Sequence, residues 1–413
     1  MLTALYADAN GKIYDAPGYW AVGRTGFFDA ALTMDDVIPL PGGTDLMFLP
    51  GASAVAVRSG KLESIATSLF AVAAILPVGY TRTHLPAYVK QAEAPFLPLY
   101  GYTAVAAHKD RLYVAAVKSD DNAKWHPSRF NTPGLANKIA KVRQELTDNR
   151  LVEHLARCSE EWHCCTAENL FYHRWEAGIP VSQTCNANCL GCISLQPSGC
   201  CPASQSRITF VPSVAEVAAV GVYHLSGAPE PIISFGQGCE GEPSIAADTI
   251  ASAVGQIRKH TSRGVININT NAGFTEGLNM IVDAGLDSMR VSVISGREET
   301  HQAYYRGNYS LDAVKKSIAY AKKKGVYVSL NMLLLPGLND QAAEMAAWRL
   351  FIQETGVDMI QLRNLNIDPD MVWQALPEIS DRSLGIRKFI KELRQEYPDV
   401  QIGNFSRYIR TEP

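Results

Sequence analysis

The chain has 413 residues, 47% of them in the hydrophobic set, enough for a sizeable core and, at roughly 150 residues per domain, for two or three domains. Disordered and mini-protein classes are excluded. Lysine and arginine number 38 against 41 aspartates and glutamates, a net charge of -3, so no global basic field draws the chain to nucleic acid or an anionic membrane. The longest apolar run, Leu69–Leu76, stops at Pro77, far short of the roughly 20 residues of a spanning helix, and no membrane role is expected. The opening MLTALYADANGKIYD has no basic stretch ahead of an apolar one, so a cytoplasmic, reducing location is the expectation.

Residues 1–133 read as a β-rich domain, with turn signals at Asn10-Gly11, Pro41-Gly42-Gly43, Pro50-Gly51 and Ser59-Gly60 between short apolar runs. A hairpin is predicted from Tyr102–His108, through Lys109-Asp110, to Arg111–Val117. Residues 134–178 form a helical, cysteine-containing connector, in which Leu135, Ile139, Val142 and Leu146 recur at helical spacing. From 179 to 370 strands alternate with helices, which predicts an α/β fold built on a parallel sheet. The strands expected are Ile179–Thr184, Pro231–Gly236, Val265–Thr270, Met289–Ile294, Tyr327–Leu335 and Met359–Asn366. Between them lie helices, one opened by a capping box at Ser213 and Glu216, others near 247–260, 311–324 and 341–354. Six βα units are too few for a closed eight-fold barrel, so a partial (βα)6 TIM-like barrel is expected, with chemistry at the carboxyl ends of its strands. A helix near 381–397 and a strand near 401–406 form a C-terminal extension over 371–413.

Of nine cysteines, eight (Cys158, Cys164, Cys165, Cys185, Cys189, Cys192, Cys200, Cys201) fall between 158 and 201, where uniform scatter would place about one. With no secretory signal and an odd total, metal or iron-sulfur ligation is favoured over disulfides, and burial of small thiols is the bland alternative. After the first expected barrel strand the chain reads Cys185-Asn-Ala-Asn-Cys189-Leu-Gly-Cys192. Three thiolates on one tight loop can hold three irons of a [4Fe-4S] cluster and leave the fourth iron open to a ligand. Zinc fits less well, since neither a second C-x2-C knuckle nor a later histidine pair accompanies the loop.

This C-x3-C-x2-C spacing resembles the signature of the radical S-adenosylmethionine (SAM) superfamily, and the likeness runs over roughly residues 179–370. The resemblance implies that the open iron chelates SAM, whose reductive cleavage yields a 5'-deoxyadenosyl radical that abstracts hydrogen from a substrate. It also implies an external reductant such as flavodoxin or ferredoxin. Further segments are similar to the superfamily pattern: Gly241-Glu242-Pro243 to its G-E-P segment, Thr270-Asn271 to T-N-G with Ala272 for the glycine, Arg290-Val291-Ser292 to R-V-S, and Asn331 to a frequent ribose ligand. The implied SAM contacts are therefore Gly241, Glu242, Pro243, Thr270, Asn271, Ser292 and Asn331. Two positions depart from the pattern: Gly191 stands where an aromatic residue often precedes the third cysteine, and Ile294 replaces an acid.

Arg363, Asn364, Asn366 and Asp368 close the sixth strand, where alternation would turn two of them toward the barrel mouth or leave them as a bonded rim. Cys158, Cys164, Cys200 and Cys201 are candidates for an auxiliary iron-sulfur cluster or zinc site, with His163 as a further donor, against simple thiol burial. Cys239, inside the expected SAM loop, reads as a small buried filler. The expected substrate is a small molecule, peptide or protein, and nucleic acid is not favoured. An iron-sulfur electron-transfer protein without SAM turnover is the alternative.

Overall fold

The structure is a computed structural model that describes residues 1–94, 96–97, 99–121, 123–195, 203–377 and 382–409. The chain forms two compact units. One comprises Met1–His126, Leu333–Arg349 and Leu362–Asn404; the other comprises Pro127–Met332, Leu350–Gln361 and the residues from Phe405 onward.

In the first unit, β1 (Thr3–Ala7), β2 (Ile13–Trp20), β5 (Ile38–Pro39), β6 (Asp45–Arg58), β7 (Lys61–Ser64), β8 (Phe70–Ile75), β11 (Tyr88–Lys90), β12 (Tyr102–His108) and β13 (Arg111–Val114) build one antiparallel sheet. β3 (Val22–Thr25), β4 (Phe28–Ala31) and β10 (Leu85–Pro86) form a second sheet, and β9 (Tyr80–Arg82) pairs with β14 (Ala116–Lys118). The predicted hairpin forms, with Val105 opposite Val114 and His108 opposite Arg111. Its return strand splits after Val114. Alternation along β12 sends Val105 and Ala107 into a cluster with Leu5, Val72, Ala74 and Val114, while Ala104 and Ala106 join Leu2, Ala21, Leu32 and Val37 on the opposite face. Both faces are buried, which is why the strand reads as near-continuous alanine and valine. β6 shifts register between Phe48 and Ser53, where Pro50 and left-handed Gly51 kink it, so that a single strand serves β8, β7 and β11.

The second unit opens with three helices, α1 (Leu135–Glu145), α2 (Arg150–Trp162) and α3 (Cys165–Phe171). Its sheet follows in the order β15 (Glu176–Gly178), β16 (Ile232–Phe235), β17 (Val265–Thr270), β18 (Ser288–Val293), β19 (Tyr327–Leu334) and β20 (Met359–Asn364), the last two belonging to this unit through Met332 and Gln361, while β21 (Gln401–Gly403) belongs to the first unit. Pairing is parallel from β15 through β19. The helices between the strands are α4 (Val214–Gly227), α5 (Ala247–His260), α6 (Thr275–Asp283), α7 (Glu298–Tyr305), α8 (Leu311–Lys323) and α9 (Ala342–Thr355); α10 (Pro369–Ala375) and α11 (Ile386–Glu396) come later in the chain. The Ser213–Glu216 capping box opens α4 as the sequence predicts. Among the described residues no helix is long and apolar enough to cross a membrane.

The first strand of this parallel sheet corrects the sequence reading. It is Glu176–Gly178, and the expected Ile179–Thr184 is irregular. Ile179 still donates to Ser234 O at 2.9 Å, but Pro180 has no N–H for a ladder, and the amides of Val181 and Ser182 turn to the Glu240 carboxylate at 2.7 and 3.0 Å.

Period-two alternation gives this sheet two unlike faces. Ile233, Phe235, Ile266, Ile268, Met289, Val291, Val328 and Leu330 are buried on one of them. The other carries a continuous polar row. Ser234 Oγ donates to Glu176 Oε1 at 2.7 Å, Asn267 Nδ2 to Ser234 Oγ at 3.0 Å, Ser288 Oγ to Asn267 Oδ1 at 2.8 Å, and Arg290 Nη1 to Gln361 Oε1 at 3.2 Å. Every member of this row finds a partner, as buried polar groups must.

Candidate functional site

The site gathers where β15, β16, β17, β18 and β19 end. The loop Cys185–Cys192 is held by main chain: Asn188 N donates to Tyr305 O at 2.9 Å and Leu190 N to Tyr304 O at 3.0 Å, both at the end of α7. Arg306 Nε reaches Asn188 O at 2.7 Å. Cys185, Cys189 and Cys192 are partly exposed, all as free thiols. Burial, then mutual repulsion among the three, pushes the Cys189 thiol well above its ordinary range, so three thiolates here call for a cationic partner. Arg207 supplies positive charge beside Cys192, its Nη2 lying 3.9 Å from that Sγ and 2.9 Å from Ser194 Oγ.

Gly241 follows at close quarters. Its amide donates to Ser182 O at 2.8 Å, and a Cβ there would stand 1.8 Å from Thr184 O, so only glycine lets this loop press on the residues leading into Cys185. Glu242 N donates to Thr184 O at 2.9 Å. The Glu242 carboxylate is fully buried and accepts four protein donors: Ser244 N at 3.1 Å, Ser244 Oγ at 2.7 Å, Thr270 Oγ1, and Asn271 N at 2.9 Å. Three of these donors converge on Oε1 and one on Oε2, so the carboxylate is held from both sides while Oε2 keeps an acceptor position. Glu242 is thus a brace between the loop after β16 and the end of β17. Pro243 starts the short 3-10 helix that Glu242 caps.

Asn271 carries the brace on to the cysteine loop, its Nδ2 donating to Asn186 Oδ1 at 2.6 Å. Ala272, where the superfamily pattern has glycine, holds φ 58°, a left-handed conformation that alanine adopts at a cost of roughly 1–2 kcal/mol. Ser292 and Asn331 are register partners on β18 and β19, and Asn331 Nδ2 donates to Ser292 Oγ at 3.2 Å. The sequence-derived residues Cys185, Cys189, Cys192, Gly241, Glu242, Pro243, Thr270, Asn271, Ser292 and Asn331 all belong to the second unit.

Sequence reasoning missed several members. Glu240, fully buried, accepts from Val181, Ser182, Gly236 and Gln237 amides at 2.6–3.0 Å; burial pushes its acid up to about 7 while those four donors pull the other way. Tyr309 lies against Gly273 and Gly307, near Cys189 and Glu242, and among the described residues its hydroxyl has no hydrogen-bond partner, nor does that of Tyr305 or either ring nitrogen of His301. Unpaired buried donors beside a thiol loop fit a site that a polar group completes. The alternation V-N-I-N-T and S-M-R-V-S-V was the available signal for the polar face.

Arg363, Asn364 and Asp368 belong to the first unit and are engaged there: Asn364 Oδ1 accepts from Arg82 N at 3.0 Å, Asp368 Oδ2 from Leu97 N at 3.0 Å, and Arg363 Nη1 donates to Asn404 Oδ1 at 3.3 Å. They form the bonded rim. Of the auxiliary candidates, Cys158 is buried in α2, Cys164 precedes α3, and Cys200 and Cys201 lie outside the described residues. His163 pairs its Nδ1 with Asn131 Oδ1 at 2.9 Å. Cys239 lies beside Cys158 and His154, a placement the sequence did not reveal.

Residues 179–348 of the chain match the family model of the Radical SAM superfamily. Among curated relatives it is similar to a GTP 3',8-cyclase of Paenarthrobacter nicotinovorans, 25% identical over 47% of this chain and 52% of that protein. It is also similar to a probable dual-specificity RNA methyltransferase RlmN of Chlorobium luteolum, 32% identical over 31% of this chain and 40% of that protein. The chain thus spans about half or less of these relatives' length. Solved structures with likeness include methylornithine synthase (TM-score 0.39, 16% identity, 64% of this chain and 77% of that one) and SuiB of Streptococcus suis bound to SAM (TM-score 0.40, 13% identity, 66% and 60%).

Proposed function

We propose that this chain cleaves SAM reductively at a [4Fe-4S] cluster held by Cys185, Cys189 and Cys192, and uses the 5'-deoxyadenosyl radical to take hydrogen from a peptide, protein or metabolite. The observation that carries this reading is the cysteine loop tied through Asn186 and Asn271 to the buried Glu242 brace, next to the Ser292–Asn331 pair. When bound, the cluster supplies one electron to SAM at its open iron. The chain's own groups do the rest. Because four donors, three of them on Oε1, tie the Glu242 carboxylate into the brace, the loop Gly241–Pro243 would receive the SAM amino group on its backbone carbonyls and the remaining position on Glu242 Oε2, while Thr270, Asn271, Ser292 and Asn331 would face its methionine and ribose parts. In this reading residues 179–370 are the catalytic core, 134–178 the connector, and 1–133 and 371–413 the flanking domains. A flavodoxin- or ferredoxin-like reductant in a cytoplasmic, reducing setting suits the chemistry. The relatives' names span nucleotide cyclisation and RNA methylation, and the net charge of -3 weighs against an RNA substrate here.

The test is anaerobic reconstitution with iron and sulfide, followed by dithionite and SAM. Wild type should release 5'-deoxyadenosine, and Cys189→Ala should remain folded, lose iron and release none. Bound iron without SAM cleavage in wild type would instead favour an electron-transfer protein, and retained cleavage in Cys189→Ala would remove that residue from the site.

A further inference from the structure

A second group of soft donors lies outside the thiol loop. His154 and Cys158 are four residues apart on α2, so helical spacing stacks them on one face. Cys239 arrives from the loop after β16, its carbonyl fixed by Ile208 N at 2.7 Å. The His154 ring nitrogen, the Cys158 Sγ and the Cys239 Sγ all lie within 4.8 Å of one another, and Cys158 Sγ is 3.6 Å from His154 Nε2. Cys158 and Cys239 are buried, and His154 is partly buried with its ring edge-on to Phe210. None of the three is used by the chemistry proposed above.

The spacing discriminates among occupants. Around a tetrahedral zinc with arms of about 2.0–2.3 Å, neighbouring donors stand roughly 3.5–3.8 Å apart, which matches the 3.6 Å between Cys158 and His154. Two thiols and an imidazole are also the donor types zinc prefers. The Cys164 amide donates to Cys158 O at 3.1 Å, which brings a third cysteine alongside; its Sγ now rests 3.3 Å from Thr166 Oγ1.

We propose that His154, Cys158 and Cys239 form a zinc site that clamps α2 to the loop Gly236–Pro243, with the fourth coordination position facing Cys164. It shares Cys158 with the set Cys158, Cys164, Cys200 and Cys201 expected from the sequence, of which Cys200 and Cys201 lie outside the described residues. Its role is positional: Cys239 immediately precedes Glu240 and Gly241, so the metal fixes the loop whose amides and glycine press on the approach to Cys185. The site is independent of the thiol loop and stands or falls separately from it.

The experiment uses the full chain with Cys185, Cys189 and Cys192 all changed to Ala, purified anaerobically without chelators, so that no cluster forms at the thiol loop. We expect about one zinc per chain without acid-labile sulfide, and, after exchange for cobalt, the intense thiolate-to-cobalt absorption of a tetrahedral site. Adding Cys239→Ser or His154→Ala should weaken metal retention at least tenfold in competition with a chelator. The cobalt spectrum of the chain without these added changes reads the donor set even if a variant folds poorly. Absent zinc with freely alkylated thiols, a Cys158–Cys239 disulfide under anaerobic purification, labile sulfide at these residues, or zinc affinity unchanged by both variants would each overturn the assignment.

Discussion

Gly241→Ala tests how the loop Gly236–Pro243 meets the cysteine loop. The added Cβ would stand 1.8 Å from Thr184 O, 2.4 Å from Thr184 C and 3.1 Å from Cys185 N, all main-chain atoms that no rotamer change can move aside. Real Cβ contacts essentially never fall below 3.0 Å, so the loop must withdraw by about 1.2 Å or more. That lengthens Gly241 N–Ser182 O and Glu242 N–Thr184 O, now 2.8 and 2.9 Å, beyond hydrogen-bonding range. Two lost hydrogen bonds at about 0.5–1.5 kcal/mol each, with about 1–3 kcal/mol of overpacking, give a destabilisation of roughly 2–6 kcal/mol. Gly255→Ala is the control. Gly255 lies inside α5, and outside its own helix turn nothing among the described residues comes within 4 Å of its added Cβ, so alanine there should stabilise by about 0.5–1 kcal/mol through helix propensity. Urea unfolding of the cluster-free chain followed by circular dichroism should give opposite signs for the two variants, and anaerobic reconstitution should give a lowered iron content for Gly241→Ala alone. Wild-type stability and iron content in Gly241→Ala would refute the close-approach argument.

Arg82 is fully buried, its pKa pushed down to about 10 by burial, and its guanidinium fans out to the carbonyls of Tyr100 at 2.9 Å, Tyr102 at 3.4 Å and Leu365. A lysine cannot reproduce that fork, so Arg82→Lys should lose about 2–4 kcal/mol in chemical denaturation, and a loss below about 0.5 kcal/mol would show that the fork is dispensable. His224 is fully buried, its Nε2 donating to Trp175 O at 2.7 Å with the His173 ring 6.0 Å away; burial lowers its pKa from 6.5 to about 4. Because the folded value is depressed, the unfolded chain takes up the proton first as pH falls. The stability contribution is therefore intact above about pH 6.5 and fades toward pH 4, with about 2 kcal/mol gone at pH 5. Urea titrations at pH 7.5 and 5 should show that share of the pH dependence removed in His224→Gln; an unchanged difference would exclude His224 as its source.

What was legible in the sequence is what neighbours along the chain decide. The C-x3-C-x2-C loop, the Ser213–Glu216 capping box, the hairpin of 102–108 with 111–114 and five of the six expected sheet strands to within about two residues follow from local spacing and period. The first strand was misplaced because Pro180 and a carboxylate far along the chain, Glu240, decide where the ladder ends. The same limit governs the site. A glutamate beside a glycine in sequence gives no sign that one carboxylate, Glu240, will cap the approach to the cysteine loop while the next, Glu242, braces two strand ends. Nor does a lone Cys239 announce that folding will set it against a histidine and a cysteine one helical turn apart on α2. Sequence by itself determined which backbone segments form and which thiols share a loop, since those depend on interactions a few residues long. Only tertiary structure decided which buried polar groups meet, because each must find a partner wherever the packed chain brings one.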